Sequence, residues 1–500
     1  MSMIIRGHGL TVEDVVKVAR FGESVEIDDL SRKNLETSRK RLEKLIEEGS
    51  VIYGINTGLG DLVRVRIDAE DVKKLQLNLV RSHSAGTGDA MPEEIVRGAM
   101  LIRANSLLKG FSGVRPVVVD KLIEFLNRGI TPLVPKFGSV GASGDLAPLA
   151  HIALAMIGEG KVIFEGKIMG SAEAMEIAGI EPIELESKEG LALLNGTSVM
   201  ASYAAIAVYD AYDTLLHALI SSSMAFEALR GTDRALDPRI MEVRPHPGQA
   251  KIAEILRYFL DDSDIVKMAR MEKVQDAYTL RCVPQVYGAV LDALRYVKAV
   301  VEREINSATD NPLVFDEVIS GGNFHGEPIA LAMDFLAIAL TDLGNMIERR
   351  IARLVDGHLS GLPHFLVEKS GINSGFMIPQ YTAAALCNRN KILSYPASVD
   401  SIPTSANQED HVSMGMNSAI KLREIVDNLR NIVAIEFLCA NQALHLSRSS
   451  ASTVKEAMEA IGIPKIDEDV IFSDLISKIR DLMDDGEILR HVKKASKITL

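Results

Sequence analysis

The chain's most unusual chemistry lies in twelve consecutive residues, Gly138-Ser139-Val140-Gly141-Ala142-Ser143-Gly144-Asp145-Leu146-Ala147-Pro148-Leu149. If the Gly144 amide nitrogen attacks the Ala142 carbonyl carbon and two waters leave, one of them from Ser143, a methylidene-imidazolone ring closes with an electron-poor alkene. No standard side chain is such an electrophile. The residue types suit the closure. Glycine has no Cβ to block the approach and reaches φ angles closed to other residues, alanine is small, and serine carries the hydroxyl to be eliminated. The alternative is a glycine-rich turn that cradles a phosphate. Glycines 138, 141 and 144 do not spell G-x-G-x-x-G, no Lys-Ser/Thr ending of a P-loop follows, and residues 141–145 are not a G-x-S-x-G elbow.

In its twelve-residue setting the loop resembles that of the aromatic amino acid ammonia-lyases and aminomutases, which make this prosthetic group, 4-methylidene-imidazol-5-one (MIO), from their own backbone. The resemblance implies an autocatalytic MIO from Ala142, Ser143 and Gly144, with no external cofactor. Eliminating ammonia from an α-amino acid sets two difficulties: the amine leaves poorly and the β-hydrogen is barely acidic. A captured amine addresses the first. A tyrosinate addresses the second if nearby positive charge lowers a phenol from its reference pKa of about 10. Two tyrosines sit in matching motifs, Tyr53 in Val51-Ile52-Tyr53-Gly54-Ile55-Asn56-Thr57-Gly58 and Tyr278 in the run from Val274 to Gln285. The resemblance makes Tyr53 the β-proton base, Tyr278 its assistant and Arg281 the carboxylate clamp, a task its planar fork suits. Asn195, in Leu193-Leu194-Asn195-Gly196-Thr197-Ser198, joins the site on the same ground.

Substrate choice is read from two further motifs. Ser82-His83 resembles the histidine-directed selectivity pair, although tyrosine aminomutases also carry Ser-His. Asn407-Gln408-Glu409-Asp410-His411 has the glutamate that relatives acting on phenylalanine or tyrosine commonly lack. A carboxylate holds an imidazole N–H and meets an unfavourable desolvation against a bare phenyl ring. By resemblance Gln275 and Phe324 complete the pocket. His325 and Glu327 have i,i+2 spacing and no third ligand, so no metal is expected. The resemblance spans nearly the whole chain and is nearest to the histidine ammonia-lyases. The chain departs from their pattern at Tyr395, Ala397 and Val283. The expected reaction is therefore L-histidine to trans-urocanate and ammonia, the first step of histidine degradation. The rivals are a tyrosine-directed lyase or aminomutase, which Glu409 opposes, and a non-catalytic helical assembly protein.

Elements must position these residues, and proline placement is the coarse guide, because proline interrupts helix interiors. Four proline-poor stretches, 182–238, 284–312, 328–363 and 403–464, carry apolar residues at helical spacing. Leu336, Leu340, Leu343, Ile347, Ile351 and Leu354 step by three and four, as do Leu422, Ile425, Leu429 and Ile432. Helices this long demand partners, so the expected fold is mainly α, a long-helix bundle. Val162-Ile163-Phe164 between Gly160 and Gly166 predicts a small hairpin. No βαβ alternation or repeat is present. One catalytic unit over residues 1–500 is expected, with a smaller N-terminal portion to about residue 200 carrying the Ala-Ser-Gly loop and the helices following. By resemblance those helices form the core of a homotetramer whose active sites draw on three subunits.

With 47% hydrophobic and 25% charged residues the composition is globular. A net charge of −13 without a basic run disfavours nucleic acid and is compatible with a small zwitterionic substrate. Cys282, Cys387 and Cys439 are too scattered for a disulfide framework, and the first fifteen residues carry Arg6, Glu13 and Asp14 and no long apolar run. A cytoplasmic protein without membrane attachment is expected.

Overall fold

The computed structural model describes residues 2–50, 52–58, 64 and 66–500; Val51, the first residue of the Tyr53 motif, lies outside them. The chain is mainly α-helical. Helices Ser198–Ala228, Val283–Glu304, Glu327–Val355 and Gly415–Leu446 occupy the four proline-poor stretches. Pro284 and Pro328 stand in first turns, where a missing N–H breaks no intrahelical bond. The 32-residue helix runs about 48 Å at ~1.5 Å per residue. Every residue of the two predicted stripes is fully buried, each such side chain contributing about 1.5–3 kcal/mol of apolar burial. By length and composition the Glu327–Val355 helix could cross a bilayer, yet 61% of its apolar window is buried inside the structure.

Backbone contacts divide the chain into two compact units. The first comprises Met1–Tyr209, Val297–Asp334 and Pro396–Ile420, the second Asp210–Tyr296, Phe335–Tyr395 and Lys421–Leu500. In the first, helices Val12–Ala19, Glu93–Leu107 and Pro116–Arg128 pack around Ile95, Ala99, Leu101 and Phe125. The predicted hairpin is present: Lys161–Phe164 pairs antiparallel with Lys167–Gly170. Its two turn residues, Glu165 and Gly166, hold φ of 49° and 72°, the left-handed pair that matches the twist of a two-residue hairpin.

In the second unit a buried ion pair joins Arg350 to Glu436. Arg350 also donates to the Tyr287 hydroxyl at 2.6 Å and to the Thr279 carbonyl at 2.9 Å. It thereby ties the Tyr278–Arg281 turn to the helix core.

Candidate active site

The Ala142-Ser143-Gly144 loop lies in the first unit, between the strand Pro135–Phe137 and the helix Leu146–Met156. Gly144 holds φ of 72° and pairs with Gly196 in a parallel bridge. A Cβ on Gly144 would overlap the Gly196 carbonyl, and one on Gly196 would strike Arg103. Gly144 is thus required by a backbone-on-backbone approach, Gly196 by the Arg103 side chain, and both by dihedral angle. Asp145 N donates to Gly196 O at 2.7 Å. Ser139 Oγ donates to Gly144 O and to Asp145 Oδ1, both at 3.1 Å. The Asp145 carboxylate accepts from Val199 N and Met200 N at 2.9 Å, in the first turn of the Ser198–Ala228 helix. Burial pushes its carboxyl up to about 7, against those two amides, which favour the charge. Gly144→Ala is expected to destabilise the chain by about 2 kcal/mol or more, from left-handed strain plus the overlap with Gly196. A lowered urea midpoint measures it.

Ser143 Oγ donates to Glu409 Oε1 at 2.7 Å across 266 residues of sequence. Glu409 is held from behind, where Thr404 Oγ1 donates to its Oε2 at 2.6 Å. The main chains of Thr404 and Glu409 also pair in an antiparallel bridge. Between them Ser405, Ala406 and Asn407 all take left-handed φ, 51°, 52° and 66°. Such angles persist in side-chain-bearing residues only where surrounding structure imposes them. Ala142 is buried against Val412 and Met414, with Ala397 at the edge of that cluster. Of the other departures from pattern, Tyr395 is exposed and Val283 buried.

Two cavities of about 350 and 530 Å³ share Tyr53, Ser143, Asn195 and Glu409 in their walls. Ala142 and Phe324 line the first, His83 the second. His83 Nδ1 lies 2.9 Å from the Leu79 carbonyl. A carbonyl only accepts, so Nδ1 carries the proton and Nε2 is the ring's acceptor. Burial pulls the His83 pKa down, with the Leu79 bond and the Glu409 charge opposing, which favours the neutral ring. Asn195 Oδ1 is a buried acceptor without a partner among the described residues. The loop fits the ring closure its sequence allows: Gly144 is left-handed, Ala142 is packed without a bulky side chain, the Ser143 hydroxyl rests on a carboxylate, and an unpartnered acceptor stands in the same cavity wall.

The structure therefore brings Tyr53, His83, Ala142, Ser143, Gly144, Asn195, Phe324 and Glu409 together within the first unit. Gln275, Tyr278 and Arg281 belong to the second unit. There Arg281 donates to Gln275 and stacks over the Tyr278 ring at 4.7 Å. Tyr278 is 68% exposed. None of the three is among the described residues that line either cavity. Sequence reasoning missed Ser139, Thr404 and Asn311. Ser139 lay inside the quoted loop without a role, while Thr404 and Asn311 act through contacts that no spacing reveals.

The family model for aromatic amino acid lyases matches residues 10–462. The chain is 55% identical over 489 residues to a probable histidine ammonia-lyase of Thermoplasma acidophilum, covering 97% of this chain and 99% of that one. Among solved structures, histidine ammonia-lyase from Trypanosoma cruzi superimposes with a TM-score of 0.93 at 40% identity, over 99% of this chain and 96% of that one. Tyrosine aminomutase from Streptomyces globisporus gives 0.95 at 38% identity, over the full length of both.

Proposed function

Because the chain belongs to the aromatic amino acid lyase family, and is thus a carbon-nitrogen lyase, we propose that it removes ammonia from L-histidine to give trans-urocanate. One observation carries the choice of substrate: Glu409 stands 2.7 Å from the Ser143 hydroxyl, in a cavity wall shared with Tyr53 and Asn195. A carboxylate there suits an imidazole N–H and penalises a bare phenyl ring. The neutral His83, with Nε2 accepting, offers a second acceptor to the ring edge. An imidazolium, which presents two N–H groups, is complementary to both.

A methylidene-imidazolone formed from Ala142, Ser143 and Gly144 supplies the electrophile that an amine leaving group needs. The chain's own residues do the rest. Tyr53 takes the β-proton, Glu409 and His83 hold the imidazole, and Asn195 holds the amino-acid end. Arg281 takes the carboxylate, with Tyr278 and Gln275 beside it. In this reading the three serve from neighbouring copies in a homotetramer, an assembly that solution mass tests directly. The three unpaired cysteines support a reducing, cytoplasmic setting.

The test is incubation with each aromatic amino acid while following conjugated acrylate absorbance. Urocanate from histidine is expected; β-tyrosine formation without histidine turnover overturns the proposal in favour of the aminomutase. Glu409→Gln is expected to lower kcat/KM for histidine roughly 10- to 100-fold, the worth of a charge-assisted hydrogen bond. It should not lower whatever residual activity there is on phenylalanine.

A further inference from the structure

Asn195 closes the short Glu189–Leu194 helix, and half of its carboxamide is already committed. Its Nδ2 donates to the Asn311 main-chain carbonyl at 3.0 Å. Because a carbonyl only accepts, the atom facing it must be the nitrogen, and Oδ1 is left buried and unpartnered among the described residues. Asn311 is itself held through its main-chain N–H and its side chain. Asn311 N donates to Asp310 Oδ1 at 2.7 Å, and Asn311 Oδ1 accepts from Gly321 N at 2.7 Å. Asp310 Oδ2 then accepts from Lys188 Nζ at 2.6 Å, both side chains being completely buried.

Lys188 is the residue immediately before the same short helix, and it holds φ of 74°. Lys188 and Asn195 thus bracket one helix of six residues, and the path Lys188, Asp310, Asn311, Asn195 bridges its two ends. A buried ion pair is a poor general stabiliser, since desolvating two charges offsets their attraction. A non-glycine residue in the left-handed region is also unfavourable. Such costs recur where a side chain must be held in one orientation.

We propose that Lys188 and Asp310 are positioning residues for Asn195: the buried pair fixes the Asn311 carbonyl, and through it turns the Asn195 carboxamide so that Oδ1 is the atom left to accept from a ligand. This rests on the lyase reading given above and deepens it.

The test is a double-mutant cycle on kcat/KM for L-histidine with Asp310→Asn, Asn195→Ala and the pair. Intact mass is read first in each variant, so that failed ring formation is not scored as mispositioning. Asp310→Asn alone is expected to lower kcat/KM about 10-fold or more, and to add less than about 2-fold to the loss from Asn195→Ala, because residues in one hydrogen-bond network are non-additive. Losses that multiply would mean that Asp310 acts on the fold at large, and they overturn the proposal. Should Asp310→Asn fail to fold, Lys188→Gln carries the same cycle with the same two outcomes, and loss of fold in both also overturns it. If the parent chain leaves histidine untouched, the substrate reading falls by itself, and the cycle is run on whichever aromatic amino acid the chain deaminates.

Discussion

Ser143→Ala is expected to slow turnover about 10³-fold or more and to yield a chain whose intact mass equals that of its sequence, while the parent is lighter by two waters. Without the hydroxyl there is no alkene to form, so the variant keeps its cavity and loses its electrophile. Groups that act as a unit lose most of their effect when one is removed. Among the described residues the Ser143 hydroxyl makes one hydrogen bond, to Glu409, so its removal leaves the Gly144–Gly196 pairing and the Asp145 bonds in place. Circular dichroism should therefore match the parent. Unreduced turnover in the variant, or an unshifted mass in the active parent, would sink the proposed chemistry.

Tyr53→Phe is expected to lower kcat about 10²- to 10⁴-fold, the usual worth of a positioned general base. KM should move little, because only a hydroxyl is lost and the ring that fills the wall of both cavities remains. The mass should still be two waters below that of the sequence, separating this variant from Ser143→Ala. A general base works only deprotonated, so the parent's activity should climb with pH along a limb that the variant lacks. Near-parental kcat in Tyr53→Phe would remove the phenol from the mechanism and leave another base to be found.

The long helices were legible in the sequence because their physics is local. A stripe such as Leu336 to Leu354 has one way to bury every member, and prolines confined to first turns mark where helices begin. The hairpin was legible for the same reason, with Gly166 supplying its turn. The backbone demand of the Ala-Ser-Gly loop was legible because Gly144 takes an angle that other residues avoid. What could not be read was proximity. Nothing in the spacing of Ser143 and Glu409 places their side chains in contact across 266 residues, and Gly196 reads as a turn glycine until Gly144 is laid against it. The Thr404 support of Glu409 and the Asn311 support of Asn195 are likewise tertiary facts. Tyr278 and Arg281 stand in motifs as clear as that of Tyr53, yet a motif does not state which cavity it serves.

The stitching of Gly144 and Asp145 to Gly196, Val199 and Met200 has a practical side. The Ala142-Ser143-Gly144 loop and the opening turn of a thirty-one-residue helix share one set of bonds. A substitution that loosens this turn therefore reaches the Ala142-Ser143-Gly144 segment without touching it.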